Sequence, residues 1–312
     1  MLKIMEYQFK IEEETNKRID VFLTEKIKIS RTKIQNLIKK NNLMINDKII
    51  TKSNYKLSNG EIINFKYEKK KINQGIEGED IPLDIIYEDE YFLVINKDVG
   101  IITHPTSTIK TGTLINALLY KKKLPDIKVK DDEEFYRPGI VHRLDKDTSG
   151  AIIIAKNEDV QTKFSDLFKT RNIQKTYLAV VYGSFKYETG TITFPIGRHR
   201  LNRKIMSVRT NGKPCITDFK LLKKNNNYSL LELDLKTGRT HQIRMHLKHL
   251  GYPIVGDVLY STQKSKKEKL MLHSHTLKFI HPITKKDVFI TAPLKETFLN
   301  FLKENYLNYL KN

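Results

Sequence analysis

The sequence predicts an α+β protein in two units, a small one over residues 1–68 and a larger one over residues 81–312. Two observations carry this. Short β-branched runs and alternating apolar stretches recur along the larger region, interleaved with segments whose apolar residues return every three or four positions. Residues 69–80 change character: Lys69-Lys70-Lys71 and the glycines of Gln74-Gly75-Ile76-Glu77-Gly78 read as a charged, flexible linker. A length of 312 residues accommodates one large core plus a small appended one.

Composition narrows the function classes. Lys and Arg number 56 against 36 Asp and Glu, a formal net charge of +20, and the sequence pI is about 9.6. That balance suits a polyanionic partner, nucleic acid first and an anionic membrane surface second. The single cysteine, Cys215, excludes an internal disulfide framework and a Cys-rich zinc site. No apolar run approaches the ~20 residues of a membrane helix, and Met1–Tyr7 has no signal-peptide core. The expectation is a cytoplasmic monomer with no membrane partner.

In the small unit Ile19, Phe22 and Leu23 recur at i, i+3 and i+4, one buried helix face. Ser30 is placed to cap a second helix that turns Ile34, Leu37 and Ile38 inward and carries Arg31, Lys33, Lys39 and Lys40. Leu43-Met44-Ile45 and Ile49-Ile50 read as short strands joined by Asn46-Asp47-Lys48, and Asn59-Gly60 turns the chain before Ile62–Phe65. Lys17-Arg18-Ile19-Asp20, Ser30-Arg31 and Ile45-Asn46-Asp47-Lys48 resemble the S4 RNA-binding domain. The resemblance implies a basic helix face against RNA phosphates, with Arg18, Arg31, Lys33 and Lys39 as contacts. The residues alone leave open a solvated amphipathic helix.

The larger unit begins near Ile81-Pro82. Phe92-Leu93-Val94-Ile95 reads as a buried strand, and Thr113–Tyr120 as a short helix with Leu114, Ala117 and Leu118 inward. Ala151-Ile152-Ile153-Ile154-Ala155, preceded by Gly150, is a second buried strand. Asp159 is placed to cap a helix carrying Phe164, Leu167 and Phe168, which Arg171 ends. Lys175–Gly183 is a strand, and so is Leu231–Leu235, where leucines alternate with Glu232 and Asp234. Between them Arg198, His199, Arg200, Arg203, Lys204 and Arg209 form a basic loop suited to phosphates. Ile243, Leu247 and Leu250 mark a helix stripe ended by Gly251. Pro293 opens a C-terminal helix with Leu294, Phe298, Phe301 and Leu302 inward.

The chemistry-bearing stretch is Arg137–Gly150, which packs His142-Arg143-Leu144-Asp145 and Thr148-Ser149-Gly150 against the start of the second buried strand. A carboxylate held there has a fixed position and a charged neighbour, as a nucleophile requires. Taken alone, Asp145 among Lys, Thr, Ser and Gly reads as a turn former.

These residues resemble the active-site signature of the RluA/RluD-type RNA pseudouridine synthases. Two further stretches match in order: Lys175-Thr176-Tyr177-Leu178-Ala179, and Gly238-Arg239-Thr240-His241-Gln242-Ile243-Arg244-Met245-His246. Ile81–Asp89, Asn96-Lys97, His104-Pro105, Gly256-Asp257 and Leu272-His273-Ser274-His275 are similar too. Asp98 departs from the pattern, which has Pro after Asn-Lys. The resemblance implies a catalytic domain on a mixed, mainly antiparallel sheet flanked by helices and loops. It implies Asp145 as nucleophile, Tyr177 as base toward the C5 proton, and Arg244 as ion-pair partner of Asp145 within 2.7–3.2 Å, the usual hydrogen-bond range. His142, Arg143, Arg239, His241 and Leu272 would bind substrate, Leu272 against the base, and Arg198, Arg200 and Arg203 would bind RNA.

The reaction so implied isomerises uridine in place, so no cofactor is required, and the base must leave its stack to reach a pocket. Whether Asp145 attacks C1′ or removes a sugar proton stays open. The substrate implied is large-subunit rRNA. Two other classes fit part of the pattern: a non-catalytic rRNA-binding or ribosome-assembly factor, and a base-flipping N-glycosidase, which wants two carboxylates with a water between them. His246, His249, His273 and His275 lack the H-E-x-x-H or Cys partners of a zinc site, so no metal is expected.

Overall fold

The computed structural model describes residues 2–13, 15–27, 29–70, 76–106, 108–124, 138–202, 205–261 and 268–308. They fall into two compact units that meet in sequence at Gly75/Ile76.

The small unit runs β1 (Leu2–Lys10), α1 (Ile19–Ile27), α2 (Arg31–Lys39), β2 (Leu43–Ile45), β3 (Lys48–Ile49) and β4 (Ile62–Lys70). Its sheet has the order β1-β4-β2-β3 with every pairing antiparallel. Ser30 caps α2, its hydroxyl accepting from the Lys33 N–H. Ile19, Leu23, Ile34, Ile38, Leu43, Ile63 and Phe65 close the core. The sequence reading misses β1. Its apolar residues do not alternate cleanly, and a nine-residue register with β4 holds it as a strand. β4 also runs on to Lys70, into the stretch read as linker.

The larger unit is a nine-stranded sheet. In chain order it contains β5 (Ile85–Glu88), β6 (Phe92–Lys97), α3 (Leu114–Tyr120), β7 (Ser149–Ala155), α4 (Glu158–Lys169) and β8 (Ile173–Tyr182). Then come β9 (Thr189–Ile192), β10 (Ile196–Arg198), β11 (Met206–Val208), β12 (Thr217–Lys224), β13 (Tyr228–Leu235), α5 (Gln242–His249), β14 (Leu272–Ile280), β15 (Asp287–Thr291) and α6 (Glu296–Glu304). The order is β5-β6-β7-β14-β8-β13-β12-β9, with β15 on β14. The pairing of β14 with β7 is parallel and the others are antiparallel. The mixed, mainly antiparallel sheet is the expected one.

Strand alternation sorts its side chains onto two faces. Leu93, Ile95, Ile152 and Ile154 join one core cluster. Phe92, Val94, Ile153 and Ala155 join another, closed by Val160 and Phe164 of α4. Both faces of β6 and β7 are therefore buried, which is why they read as continuous apolar runs. Gly150 permits the parallel contact. Its φ is 105°, and a Cβ there would lie 2.2 Å from the Ser274 carbonyl oxygen.

Three boundaries differ from expectation. Asn157 caps α4, accepting from the Val160 N–H, while Asp159 sits in the first turn. α6 starts at Glu296, three residues beyond Pro293. The basic loop is a two-stranded ribbon, β10 against β11. No helix among the described residues is long and apolar enough to cross a membrane.

Candidate active site

The loop before β7 is held by its backbone. The Thr148 N–H donates to the Asp145 carbonyl (3.1 Å), closing a turn, and the Gly100 N–H donates to the Lys146 carbonyl (2.9 Å). The Thr103 hydroxyl donates to the Leu144 carbonyl (3.2 Å). Beneath the loop lies Lys97, fully buried, whose ammonium donates to the carbonyls of Asp98 (2.8 Å), Ile101 (3.0 Å) and Lys146 (3.0 Å). Burial pushes Lys97 down to about 8, opposed by the charges of Asp147 and Asp145. Asp98, standing in the turn, pairs with Lys295 at 3.0 Å.

A cavity of about 640 Å³ opens over this loop, and it is lined by Asp145, Tyr177, Arg244 and Leu272 together with Arg143, Arg239 and His241. Residues from three distant stretches thus share one site. β8 supplies Tyr177, β14 supplies Leu272, and α5 supplies Arg244. Asp145 keeps 29 % of its side chain exposed, whereas Arg244 keeps 4 %.

Arg244 does not make the expected hydrogen bond to Asp145, which lies 3.6 Å from its Nη1. Its fork goes to Asp257 instead, Nε to Oδ2 at 2.8 Å and Nη2 to Oδ1 at 2.7 Å. Asp257 is fully buried, and its Oδ1 also accepts the N–H groups of Leu259 (3.0 Å) and Tyr260 (3.1 Å). Burial would lower the guanidinium pKa, but the Asp257 bonds and charge dominate and raise it. The physical reason for the correction is stoichiometric. A planar fork saturated by one bidentate carboxylate presents only its remaining edge to a second.

His241 stands 3.7 Å from Asp145. It sits at the start of α5 in the left-handed region, φ 54°. Its Nδ1 meets the Tyr260 hydroxyl at 2.6 Å, and the same hydroxyl accepts the Met206 N–H of β11 at 2.8 Å. Burial lowers the His241 pKa against the opposing charge of Asp145. Through its hydroxyl, Tyr260 ties the basic ribbon to the cavity wall.

Tyr177 is buried, and desolvation, followed by the charge of Asp145, pushes its phenol up to about 12 against a Ser274 hydrogen bond that lowers it. The site therefore holds a phenol. The assistance that a base at this position needs does not come from its resting surroundings. His142 lines the cavity, but its ring is committed elsewhere. Nε2 accepts the Ile153 N–H (2.8 Å), the ring stacks on Phe168 (4.5 Å between centroids), and burial lowers its pKa to about 3. It builds wall as a neutral acceptor.

Other expected contacts lie elsewhere. Arg198 and Arg200 are exposed on and beside the ribbon and do not line the cavity of Asp145; Arg203 lies outside the described residues. In the small unit, Arg18 and Arg31 have a structural task the sequence reading did not foresee. The fully buried Asp20 accepts from Arg18 Nε and Nη2 (3.0 Å each), Arg31 Nε (3.0 Å) and Gln35 (2.6 Å). Both guanidiniums remain roughly half exposed. Lys33 lies 5.5 Å over the Tyr67 ring, and Lys39 is exposed.

The RNA pseudouridylate synthase family profile matches residues 91–249, and the S4 domain profile matches residues 17–63. The chain belongs to the RNA pseudouridylate synthase family. It is an isomerase, a pseudouridine synthase carrying an S4 domain. It is 37 % identical over 303 residues to ribosomal large subunit pseudouridine synthase D of Buchnera aphidicola, covering 92 % of this chain and 94 % of that one. It is 37 % identical over 294 residues to an uncharacterised RNA pseudouridine synthase of Synechocystis, covering 91 % and 88 %. The human RNA pseudouridylate synthase domain containing 1 superposes with a TM-score of 0.57 at 29 % identity, covering 70 % of this chain and 85 % of that chain.

Sequence reasoning left Asp257 and Lys97 as bare matches and passed over Tyr260. Their signal is weak because each acts through another residue. Asp257 holds Arg244, Lys97 holds a carbonyl, and neither spacing nor periodicity marks a residue for that.

Proposed function

We propose that this pseudouridine synthase isomerises uridines of large-subunit rRNA in the cytoplasm, as a monomer, with Asp145 as the reacting carboxylate. The observation that carries the reading is the placement of Asp145. It is part-exposed in the cavity wall, 3.6 Å from a guanidinium whose Nε and Nη2 are already taken by Asp257. A cation at that distance stands within reach of charge that develops during the reaction, yet leaves the Asp145 oxygens free for a new bond. In the proposed sequence, uridine flips into the cavity and its base packs on Leu272. The C1′–N1 bond breaks as Asp145 takes up the electron-poor C1′ or a sugar proton. The freed uracil turns, and C5 bonds to C1′ as the Asp145–C1′ bond breaks or as Asp145 returns the sugar proton, which leaves Asp145 a carboxylate again; the C5 proton then departs and N1 takes one up. Tyr177 is assigned to that proton. Because burial holds it as the phenol, it relays the proton, taking it from C5 as its own hydroxyl proton passes to water, and the exchange is favoured because the uracil ring regains conjugation.

A glycosidase would need a second carboxylate flanking a water. Asp145 is the carboxylate of the described cavity lining; Asp147, two residues on, is not part of that wall. The deciding experiment is Asp145→Asn, which keeps size and most hydrogen bonding. Turnover is expected to fall below detection with RNA binding and melting temperature nearly unchanged, and wild-type enzyme is expected to release pseudouridine-containing RNA with no free uracil. Near-normal turnover of the variant, or free uracil among the products, would overturn the assignment. Mapping pseudouridine in rRNA from cells with and without the gene tests the large-subunit target.

A further inference from the structure

The cavity is larger and more cationic than the reacting residues need. Beyond Asp145 its wall continues along β8 and the end of α4, through Phe168, Lys169, Arg171 and Lys175. The lining contains one carboxylate, Asp145, against seven Lys and Arg side chains. Arg244 and Lys236 are ion-paired. Among the described residues, Lys169, Arg171 and Lys175 have no carboxylate within ion-pair distance.

Lys175 is the most telling of these. It precedes Tyr177 by two positions on β8, so strand alternation sends both side chains to the same face. It is nine-tenths buried. Among the described residues its ammonium has only a Phe168 ring at 5.7 Å and a long contact of 3.5 Å to the Ile173 carbonyl. Burial, then the nearby charge of Arg171, lowers its pKa against the opposing pull of Asp234. Burying an ammonium with so little hydrogen bonding is unfavourable unless something else completes it.

Arg171 is the second independent observation. It occupies the position after the α4 C-cap with φ 62°, a left-handed conformation that helix ends normally give to Gly or Asn. Here the chain places a long cation there, beside another cation. Like-charge crowding on one cavity wall is relieved once an anion lies between the cations.

We propose that Lys175, Arg171 and Lys169 form a subsite for one backbone phosphate of the RNA, adjoining the flipped uridine. This rests on the reading of the cavity as the uridine site. The Lys175 ammonium meets the phosphate from within the wall, the two exposed side chains meet it from the rim, and the fixed phosphate sets how far the sugar enters toward Asp145.

The test uses the full-length protein, unmodified large-subunit rRNA transcript and, separately, inorganic phosphate. Arg171→Gly removes the cation and the strain together, and Lys175→Met removes the buried charge but keeps the apolar stem. Both variants are expected to melt at or above the wild-type temperature. Both should bind the transcript with a log affinity against log salt slope shallower by about 0.7–0.9, one phosphate's worth. Arg171→Gly should raise KM about tenfold, the size of one charge-assisted hydrogen bond, and lower kcat as well, because the sugar is then held less closely against Asp145. Inorganic phosphate should raise the melting temperature of the wild type more than that of either variant. An unchanged salt slope in both variants would overturn the subsite, whatever inorganic phosphate does. The phosphate and salt arms read binding alone, so they stand apart from a failure of the enzyme to make pseudouridine.

Discussion

Asp20 and Asp145 are both carboxylates beside arginine, and the molecule uses them in opposite ways. Asp20 is fully enclosed and accepts from Arg18, Arg31 and Gln35 at 2.6–3.0 Å, so its lone pairs are consumed. Burial alone would raise its pKa, but those hydrogen bonds overcome it and hold the acid at about 2. Asp145 stands 3.6 Å from Arg244, whose fork is consumed by a second acid, Asp257, and it remains 29 % exposed. The small unit spends two arginines to neutralise one structural acid. The large unit spends one structural acid to fix an arginine, and so keeps another acid near a cation without tying it up. The two sites differ in which partner's hydrogen bonds are taken up, more than in the presence of an ion pair.

The contrast can be broken most directly at Asp257. Asp257→Asn should strand a buried guanidinium, costing about 3–5 kcal/mol, and should let Arg244 swing toward Asp145. Turnover should fall in the fraction that remains folded. Urea unfolding and single-turnover assays read the two effects, and unchanged values for both would mean that Asp257 does not hold Arg244. Arg244→Lys is the next largest. One ammonium cannot serve Asp257 bidentately and still face Asp145, so turnover should drop about 100-fold, as for a misplaced reacting group. Wild-type kcat from the lysine variant would show that the fork is dispensable.

At Asp20 the effect is smaller and depends on pH. A carboxylate whose folded pKa is depressed stabilises the fold above its unfolded value of 3.8, and that contribution drains away as pH falls through about 2. Wild-type stability should thus decline between about pH 4 and pH 2. Asp20→Asn should cost about 1–3 kcal/mol at neutral pH and remove that share of the acid decline. Parallel acid limbs for the two proteins would show the depressed pKa to be absent. The smallest effect is expected at exposed Lys39 and Lys40. Replacing both with Ala should leave stability unchanged and flatten the salt slope of RNA binding by about 0.7–0.9 per lost contact. An unaltered slope would leave the end of α2 as a solvated face.

Much of this was legible in the chain itself. The continuous apolar runs of β6 and β7, the Ser30 cap and the stripe of α5 follow from local chemistry: periodicity, capping and residue type. The gathering of Asp145, Tyr177 and Arg244 was implied by the resemblance of the three motifs, not by local chemistry. Local chemistry also misled. Asp159 looks like a cap until Asn157 is seen to supply it, and β1 lacks a clean pattern until β4 lies beside it.

Tertiary structure alone decided how partners were shared. The sequence contains enough carboxylates for Arg244 to pair with any of several. Only the packing of Asp257 behind α5, where burial makes a bidentate bond far more favourable than a solvent-edged one, gives it the guanidinium fork and leaves Asp145 at 3.6 Å. The same holds for His142, turned by the Ile153 N–H into the wall, and for Lys175, buried by the fold beside Tyr177. Residue types determine which bonds are available; burial determines which of them are made, because a hydrogen bond left unmade in a dry wall costs more than any single preference along the chain supplies.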